Sequence, residues 1–125
     1  MVDVLKKELD LPFDEAVERV ERIVGEVFSI LMVKSISDVV KNNLDLEEEP
    51  GRYTTILACG PDLARMAIDV SENVGALMPC SFVVYEKDGK VFVSHISIMK
   101  IASELDIADP EAMKPVIEET GKRVL

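Results

Sequence analysis

Two cysteines and a single histidine carry most of the chemistry that this sequence offers. Cys59 ends an apolar run, and Pro61, a residue type that favours the first turn of a helix, follows shortly after it. Cys59 should therefore lie beside a helix N-terminus, where unpaired backbone N–H groups and the helix dipole stabilise a thiolate. We expect Cys59 to be the more acidic thiol. The alternative is a small buried hydrophobe, a frequent role of free cysteine.

Cys80 and His95 can be placed through a β-hairpin. Residues 87–90 read KDGK between two β-rich runs, and Asp-Gly at this position favours a two-residue type I′ turn. Such a turn pairs Phe82 with His95 and Cys80 with Ser97. His95 then lies diagonal to Cys80, at about 7–8 Å between backbones. A Cys–His pair is the minimum for an activated thiol, and the alternative is a half-exposed histidine near a sheet edge.

These positions define a candidate site without a metal or a cofactor. Two cysteines and a histidine can occupy three positions of a zinc site, but no fourth ligand follows at a telling spacing. A glycine-rich phosphate loop, a CxxC pair and an HExxH motif are absent. The candidate catalytic residues are Cys59, Cys80 and His95, and the candidate ligand-binding residues are Tyr53, Gly60 and Pro61.

Helical stripes and apolar runs predict the elements that hold these residues. Apolar residues at helical spacing predict helices over 13–25 and 61–70, and shorter ones over 36–44, 98–105 and from Pro110 onward. Apolar β-branched runs predict strands over 27–33, 53–58 and 91–96, the first two of them buried, with a further apolar run over 76–85. Residues 46–52 read as an acidic loop and 71–75 as a turn, while residues 1–11 fit a strand or a lead-in.

This order of elements bounds the fold. A chain of 125 residues is most simply one domain, here residues 1–125. Helices and strands are mixed and one hairpin is antiparallel, which favours an α+β two-layer sandwich, a mainly antiparallel sheet with helices packed on it. Strands with little polar alternation need both faces covered, and this predicts self-association, most simply as a homodimer.

Composition excludes several classes of partner. The net charge of −10 argues against nucleic acid, whose phosphates require clustered Lys and Arg, and against an anionic membrane surface. No apolar run reaches the roughly 20 residues of a membrane-spanning helix, and the N-terminus lacks a signal-peptide pattern. We therefore expect a cytosolic protein with reduced thiols. The absence of Gln and Trp with 30% charged residues is typical of a thermophilic source.

Several of these motifs resemble the domain of unknown function 302 family. They are Phe13-Asp14-Glu15-Ala16-Val17, Tyr53 six residues before Cys59, Cys59-Gly60-Pro61, and Pro79-Cys80 leading into Val83-Val84-Tyr85. The family pattern usually has Asn where this chain has Gly60, Leu where it has Met78, and an acidic residue where it reads Leu31-Met32-Val33-Lys34. The resemblance implies a small α+β domain that is often dimeric. It implies no particular activity.

Three functions compete on these observations. The first is a thiol-based redox or sulfur-handling module, with Cys59 as the reactive thiol and Cys80 as its partner. The second is a non-catalytic domain that binds a small molecule or assembles, with cysteines that only fill the core. The third is a hydrolase-type enzyme that uses Cys59 or Cys80 with His95. The third has the least support, because no acid at a recognisable spacing orients the histidine.

Overall fold

The computed structural model describes residues 4–44 and 51–124. It contains a five-stranded antiparallel sheet with the strand order β1-β5-β4-β3-β2. An α+β fold of helices packed on an antiparallel sheet is thus confirmed. The strands are β1 (Val4–Leu9), β2 (Ser29–Ser35), β3 (Tyr53–Cys59), β4 (Cys80–Lys87) and β5 (Lys90–Ile96).

The helices form two groups. α1 packs on the sheet, whereas α3, α4 and α5 pack on one another around a second cluster of buried side chains that includes Val74, Met99 and Met113. The helices are α1 (Phe13–Val27), α2 (Ile36–Asn43), α3 (Pro61–Val70), α4 (Ile98–Glu104) and α5 (Pro110–Val124), with a 3₁₀ helix over Glu72–Leu77.

The first helix is longer than its sequence predicts. Its buried stripe runs from Phe13 to Val24, and Phe28 at its C-cap is also buried. The predicted helix over 13–25 ends at Gly25, a residue type that is unfavourable inside helices. A glycine costs only about 1 kcal/mol in a helix, less than the packing that continues on both sides of it. The helix therefore ends at Val27, and β2 begins at Ser29 instead of at residue 27.

The sheet has two unlike faces. On β3 and β4 alternate residues are buried, and the buried set packs against α1. We call this side the helix face and the other side the open face. None of the described open-face residues is buried. The helix face of the two central strands consists of Thr54, Ile56, Ala58, Cys80, Phe82 and Val84.

The prediction of a buried strand over 27–33 is wrong. β2 lies at the edge of the sheet and pairs only with β3, so it has a neighbour on one side. Leu31 and Met32 are 57% and 52% exposed, and the pairing register shifts between Ile30 and Met32, as at a β-bulge. The helix predicted over 36–44 forms as α2, and none of its residues is buried. An apolar run thus marked an edge strand here, because apolar composition does not show how many sides are covered.

The hairpin prediction is confirmed in its turn and in most of its register. Asp88 and Gly89 have φ of 54° and 77°, the positive angles of a type I′ turn. The ladder pairs residues 82–87 with 90–95, including Phe82 with His95. It does not extend to a pair between Cys80 and Ser97, because Ser97 is the N-cap of α4.

Other boundaries follow from local chemistry. The opening run contains a strand, since β1 pairs with residues 91–96 of β5. The turn expected over 71–75 belongs to the 3₁₀ helix, capped by the Ser71 side chain, and β4 therefore starts at Cys80 rather than at residue 76. Most of the acidic loop predicted over 46–52 lies outside the described residues.

Candidate thiol site

Cys59 is the last residue of β3, and α3 begins two positions after it. Gly60 is the N-cap of α3 and Pro61 its first residue, so the predicted strand-to-helix junction is confirmed. Cys59 is a free cysteine of intermediate exposure. The residue is thus partly exposed to solvent and lies next to the first turn of a helix.

Cys80 begins β4 and is buried. Its pairing partner on β3 is Ala58, the residue before Cys59. Burial, together with the charge that the neighbouring Cys59 would carry when ionised, raises the pKa of the Cys80 thiol to about 11. Cys80 therefore remains protonated at neutral pH. The raised pKa of Cys80 agrees with the expectation that Cys80 is the less acidic thiol. A lowered pKa of Cys59 stays a prediction.

Both cysteines line one small cavity. Strand neighbours lie about 5 Å apart and successive residues about 3.3 Å apart, so a diagonal pair such as Cys59 and Cys80 has Cα atoms about 6 Å apart. This separation lies within the Cα range of a disulfide, but a one-residue offset turns the two Cβ atoms to opposite faces of a regular strand pair, so a bridge requires the backbone to shift at the end of β3. The cavity has a volume of about 20 Å³, roughly one water molecule. Its remaining lining is mainly apolar and includes Phe28, Leu63 and Met99.

His95 lies on the helix face but does not bond to a cysteine. Its Nδ1 donates a hydrogen bond to the Ser81 carbonyl oxygen at 2.9 Å, and its ring stacks on Phe82 with centroids 4.2 Å apart. Burial lowers the pKa of His95. Because a carbonyl only accepts, the proton is on Nδ1, and the buried Nε2 has no hydrogen-bond partner. The geometry therefore shows a neutral structural imidazole and no Cys–His ion pair.

Tyr53 lies away from the thiols. It begins β3 and stacks on Tyr85 on the open face, with ring centroids 5.8 Å apart. Six residues separate it from Cys59, about 20 Å along an extended strand. The predicted ligand-binding set thus divides, since Gly60 and Pro61 lie beside Cys59 and Tyr53 does not.

Three further observations describe what surrounds this site. Within residues 4–44 and 51–124, no group of three or more His, Cys, Asp and Glu side chains could hold a metal ion. None of the helices in that part of the chain is long and apolar enough to cross a bilayer. Cys59 and Cys80 are free cysteines and form no disulfide with each other.

Comparison with known proteins identifies the family. The model of the family described as "Domain of unknown function DUF302" matches residues 5–124. The chain belongs to the DUF302 family. The crystal structure of an uncharacterized conserved protein DUF302 from Bacillus stearothermophilus superposes with a TM-score of 0.80 at 22% identity, over 96% of this chain and 91% of that one. No curated protein matches the chain.

Membership of DUF302 confirms the resemblance and the fold, and the family name carries no activity. A homodimer, a cytosolic location and a thermophilic origin stay predictions. One departure from the DUF302 pattern has a structural consequence. A Cβ at Gly60 would lie 3.2 Å from atoms of Arg123, Leu63 and Phe28, so the glycine allows α5 to approach the start of α3 closely.

Arg123 is the member of this region that sequence reasoning missed. Its Nη1 and Nη2 donate to the two carboxylate oxygens of Asp62 at 3.0 and 2.5 Å, and its Nε donates to Glu119. The bond from Arg123 lowers the pKa of Asp62 to about 2. The spacing of Glu119 and Arg123 on one helix was readable, but the pairing with Asp62, 61 residues away, was not.

Proposed function

We propose that this protein is a thiol-based redox module in which Cys59 is the reactive thiol and Cys80 its internal partner. The observation that carries the proposal is that both cysteines line one cavity across the β3–β4 pair. Cys59 is partly exposed beside a helix start, and Cys80 is buried and protonated. One thiol can thus meet a partner while the other is protected.

The size of the cavity limits the chemistry. A space of about 20 Å³ holds a water molecule and no substrate, so a reacting partner must approach Cys59 from solvent. A small disulfide compound such as oxidised glutathione satisfies this requirement, whereas a substrate that needs an enclosed pocket does not. The proposal therefore concerns exchange of thiols and disulfides at the surface.

The exchange proceeds in two steps. The Cys59 thiolate attacks one sulfur of a partner disulfide, forming a mixed disulfide and releasing one partner thiolate. Cys80 then loses its proton and attacks the Cys59 sulfur, which forms the internal disulfide and releases the second thiolate. Two protein thiols are oxidised, and the partner disulfide is reduced to two thiols. Formation of the mixed disulfide removes the Cys59 charge, one of the causes that raise the pKa of Cys80.

Site-resolved alkylation tests the proposal. The folded protein is treated with iodoacetamide from neutral to alkaline pH, and each cysteine is quantified by mass spectrometry. We expect Cys59 to react first and Cys80 to remain unlabelled near neutral pH. Incubation with oxidised glutathione should give an internal disulfide in the wild type, and a persistent glutathione adduct on Cys59 in Cys80→Ser.

Either part of the experiment can reject the proposal. Cys59 that stays unlabelled in the folded protein, or that titrates above Cys80, contradicts its role as the reactive thiol. A stable glutathione adduct in the wild type, equal to that in Cys80→Ser, removes Cys80 as partner. Cys59→Ser is the control for labelling specificity, because it retains only the buried thiol.

We also propose that the protein assembles as a homodimer through the edge of β2. The supporting observation is that the exposed residues of β2 include Leu31, Met32 and Val33 in a row, next to unpaired backbone groups. The other sheet edge, β1, carries Lys6, Lys7 and Glu8, the charges with which proteins protect an edge strand against pairing. β2 carries a single charge, Lys34, and its run of exposed apolar residues is suited to pair with a second copy.

Sedimentation of edge variants tests the dimer. We expect twice the 13.9 kDa monomer mass at tens of micromolar protein, and the monomer mass for Leu31→Lys. Leu105→Lys is a matched control, since Leu105 is 67% exposed and lies beyond the end of α4. A wild-type monomer under these conditions, or an equal effect of both variants, contradicts assembly through β2.

A further inference from the structure

The open face is a basic surface on an acidic protein. Four lysines of β1, β2, β4 and β5 point to this side in the strand register, against one glutamate, Glu8. The whole chain has a net charge of −10, so the excess of lysine over acidic residues on this face is opposite to the charge of the chain. The lysines are Lys6, Lys34, Lys87 and Lys90.

Apolar and aromatic side chains occupy the space between these lysines. Tyr53, Tyr85 and Phe92 form a row across β3, β4 and β5, with successive ring centroids 5.8 and 5.5 Å apart. Lys6 Nζ lies 4.5 Å from the Phe92 ring centroid and 5.6 Å from that of Tyr85. Met32, Leu57, Val83 and Ile96 extend the apolar area on the same side.

We propose that the open face binds an acidic amphipathic segment of a partner protein. Rigid aromatic side chains are frequent anchors in protein interfaces, and they provide the apolar centre here. The surrounding lysines complement acidic side chains that flank an apolar stripe on the partner. Lys90 already pairs with Glu8 at 3.7 Å, which shows that this rim accommodates a carboxylate.

Charge and ring geometry argue against other occupants. A second copy docked through the same face would bring lysines against lysines, which costs binding free energy. Single-stranded nucleic acid stacks its bases on free ring faces, whereas these rings stack on one another and on Lys6. An anionic bilayer would repel the acidic remainder of a chain whose net charge is −10.

This inference is independent of the thiol proposal, because the lysine side chains and the Cys59–Cys80 cavity belong to different parts of the fold. It is also compatible with assembly through the β2 edge, which leaves the open face uncovered. Failure of one proposal therefore does not imply failure of another.

Fluorescence anisotropy with a defined probe tests the inference. The probe is a labelled peptide of about 18 residues, or five helical turns, with leucines on one side and glutamates on the other. We expect it to bind the wild type and to bind Lys34→Glu/Lys87→Glu about tenfold more weakly, since each reversal replaces attraction by repulsion. The double variant Lys100→Glu/Lys114→Glu has the same charge but lies on α4 and α5, and should change affinity by less than about twofold.

Two further results would support the proposal. The peptide should bind more weakly at higher salt concentration, and a peptide in which lysines replace the glutamates should not bind. No binding by the wild type, or an equal loss in both double variants, overturns it. Stronger binding to phosphatidylserine-containing vesicles or to oligo-dT than to the peptide also overturns it. Conversion of a dimer to a monomer by Lys34→Glu/Lys87→Glu, with a dimer retained in Leu31→Lys, would assign the face to a second copy instead. Circular dichroism confirms that each variant is folded.

Discussion

The two faces of the sheet treat ionisable groups in opposite ways. On the helix face, burial lowers the pKa of His95 and raises that of Cys80, so both groups are held neutral. On the open face, the hydrogen bond from Lys6 lowers the pKa of Tyr85, so the charged form is favoured. The same strands thus supply a dry side, where desolvation dominates, and a wet side, where charged neighbours dominate.

This difference arises from the alternation of side chains along each strand. Ile56 and Leu57 are consecutive on β3, yet Ile56 is fully buried and Leu57 is only partly so. Their apolar side chains are of similar size, so composition does not distinguish them. The two residues differ because α1 covers only one side of the sheet. Ile56 lies on that side and therefore contributes more to the stability of the fold.

The largest expected effect comes from truncating these two neighbours. Ile56→Ala should lower the free energy of unfolding by about 3 kcal/mol, the range found for a buried aliphatic side chain that leaves a cavity. Leu57→Ala should lower it by about 1 kcal/mol or less, because its surroundings are partly solvent. Urea unfolding followed by circular dichroism measures both values under the same conditions.

The pair also tests whether the open face is uncovered in solution. A loss for Leu57→Ala as large as that for Ile56→Ala would mean that another molecule buries this side. If that loss grew with protein concentration, a second copy of the chain would be the covering molecule. A small loss of stability for Leu57→Ala that does not depend on protein concentration would support an open face that is uncovered in solution.

Sequence alone predicted the parts of the fold that local chemistry determines. Asp88-Gly89 specified the turn, and the turn specified that Phe82 faces His95. Pro61 after Cys59 located the start of α3. These are statements about neighbours in the chain or about a two-residue loop, so no knowledge of tertiary packing was needed.

The parts that failed depend on contacts between distant segments. The strand order makes β2 an edge, and this order cannot be derived from the composition of Ser29–Ser35. The bidentate pair between Arg123 and Asp62 joins the last helix to the start of α3. His95 lies diagonal to Cys80 in the register, as expected, but its Nδ1 bonds the Ser81 carbonyl oxygen and not the thiol, since backbone acceptors compete for a buried imidazole.

A smaller effect on the helix face is the pH dependence that His95 confers. The unfolded chain binds a proton at His95 below about pH 6.5, whereas the folded protein resists it because its pKa is lowered. The unfolded state therefore binds more protons as the pH falls, and stability is lost from about pH 6.5 downward to the folded-state pKa. Between about pH 7.5 and 5.5 this contribution to stability should therefore fall as the pH falls.

Urea unfolding of the wild type and of His95→Leu at both pH values measures this contribution. The substitution also removes the hydrogen bond to Ser81, so the absolute stability of the variant changes, but the comparison uses only the change between the two pH values. The carboxylates are the same in the wild type and the variant, so their effect on the pH dependence cancels in this comparison. We expect a steeper loss at low pH in the wild type than in His95→Leu. Equal slopes would mean that the folded protein protonates His95 as readily as the unfolded chain, and that water or a hydrogen-bond donor reaches Nε2 on a face that the structure shows as dry.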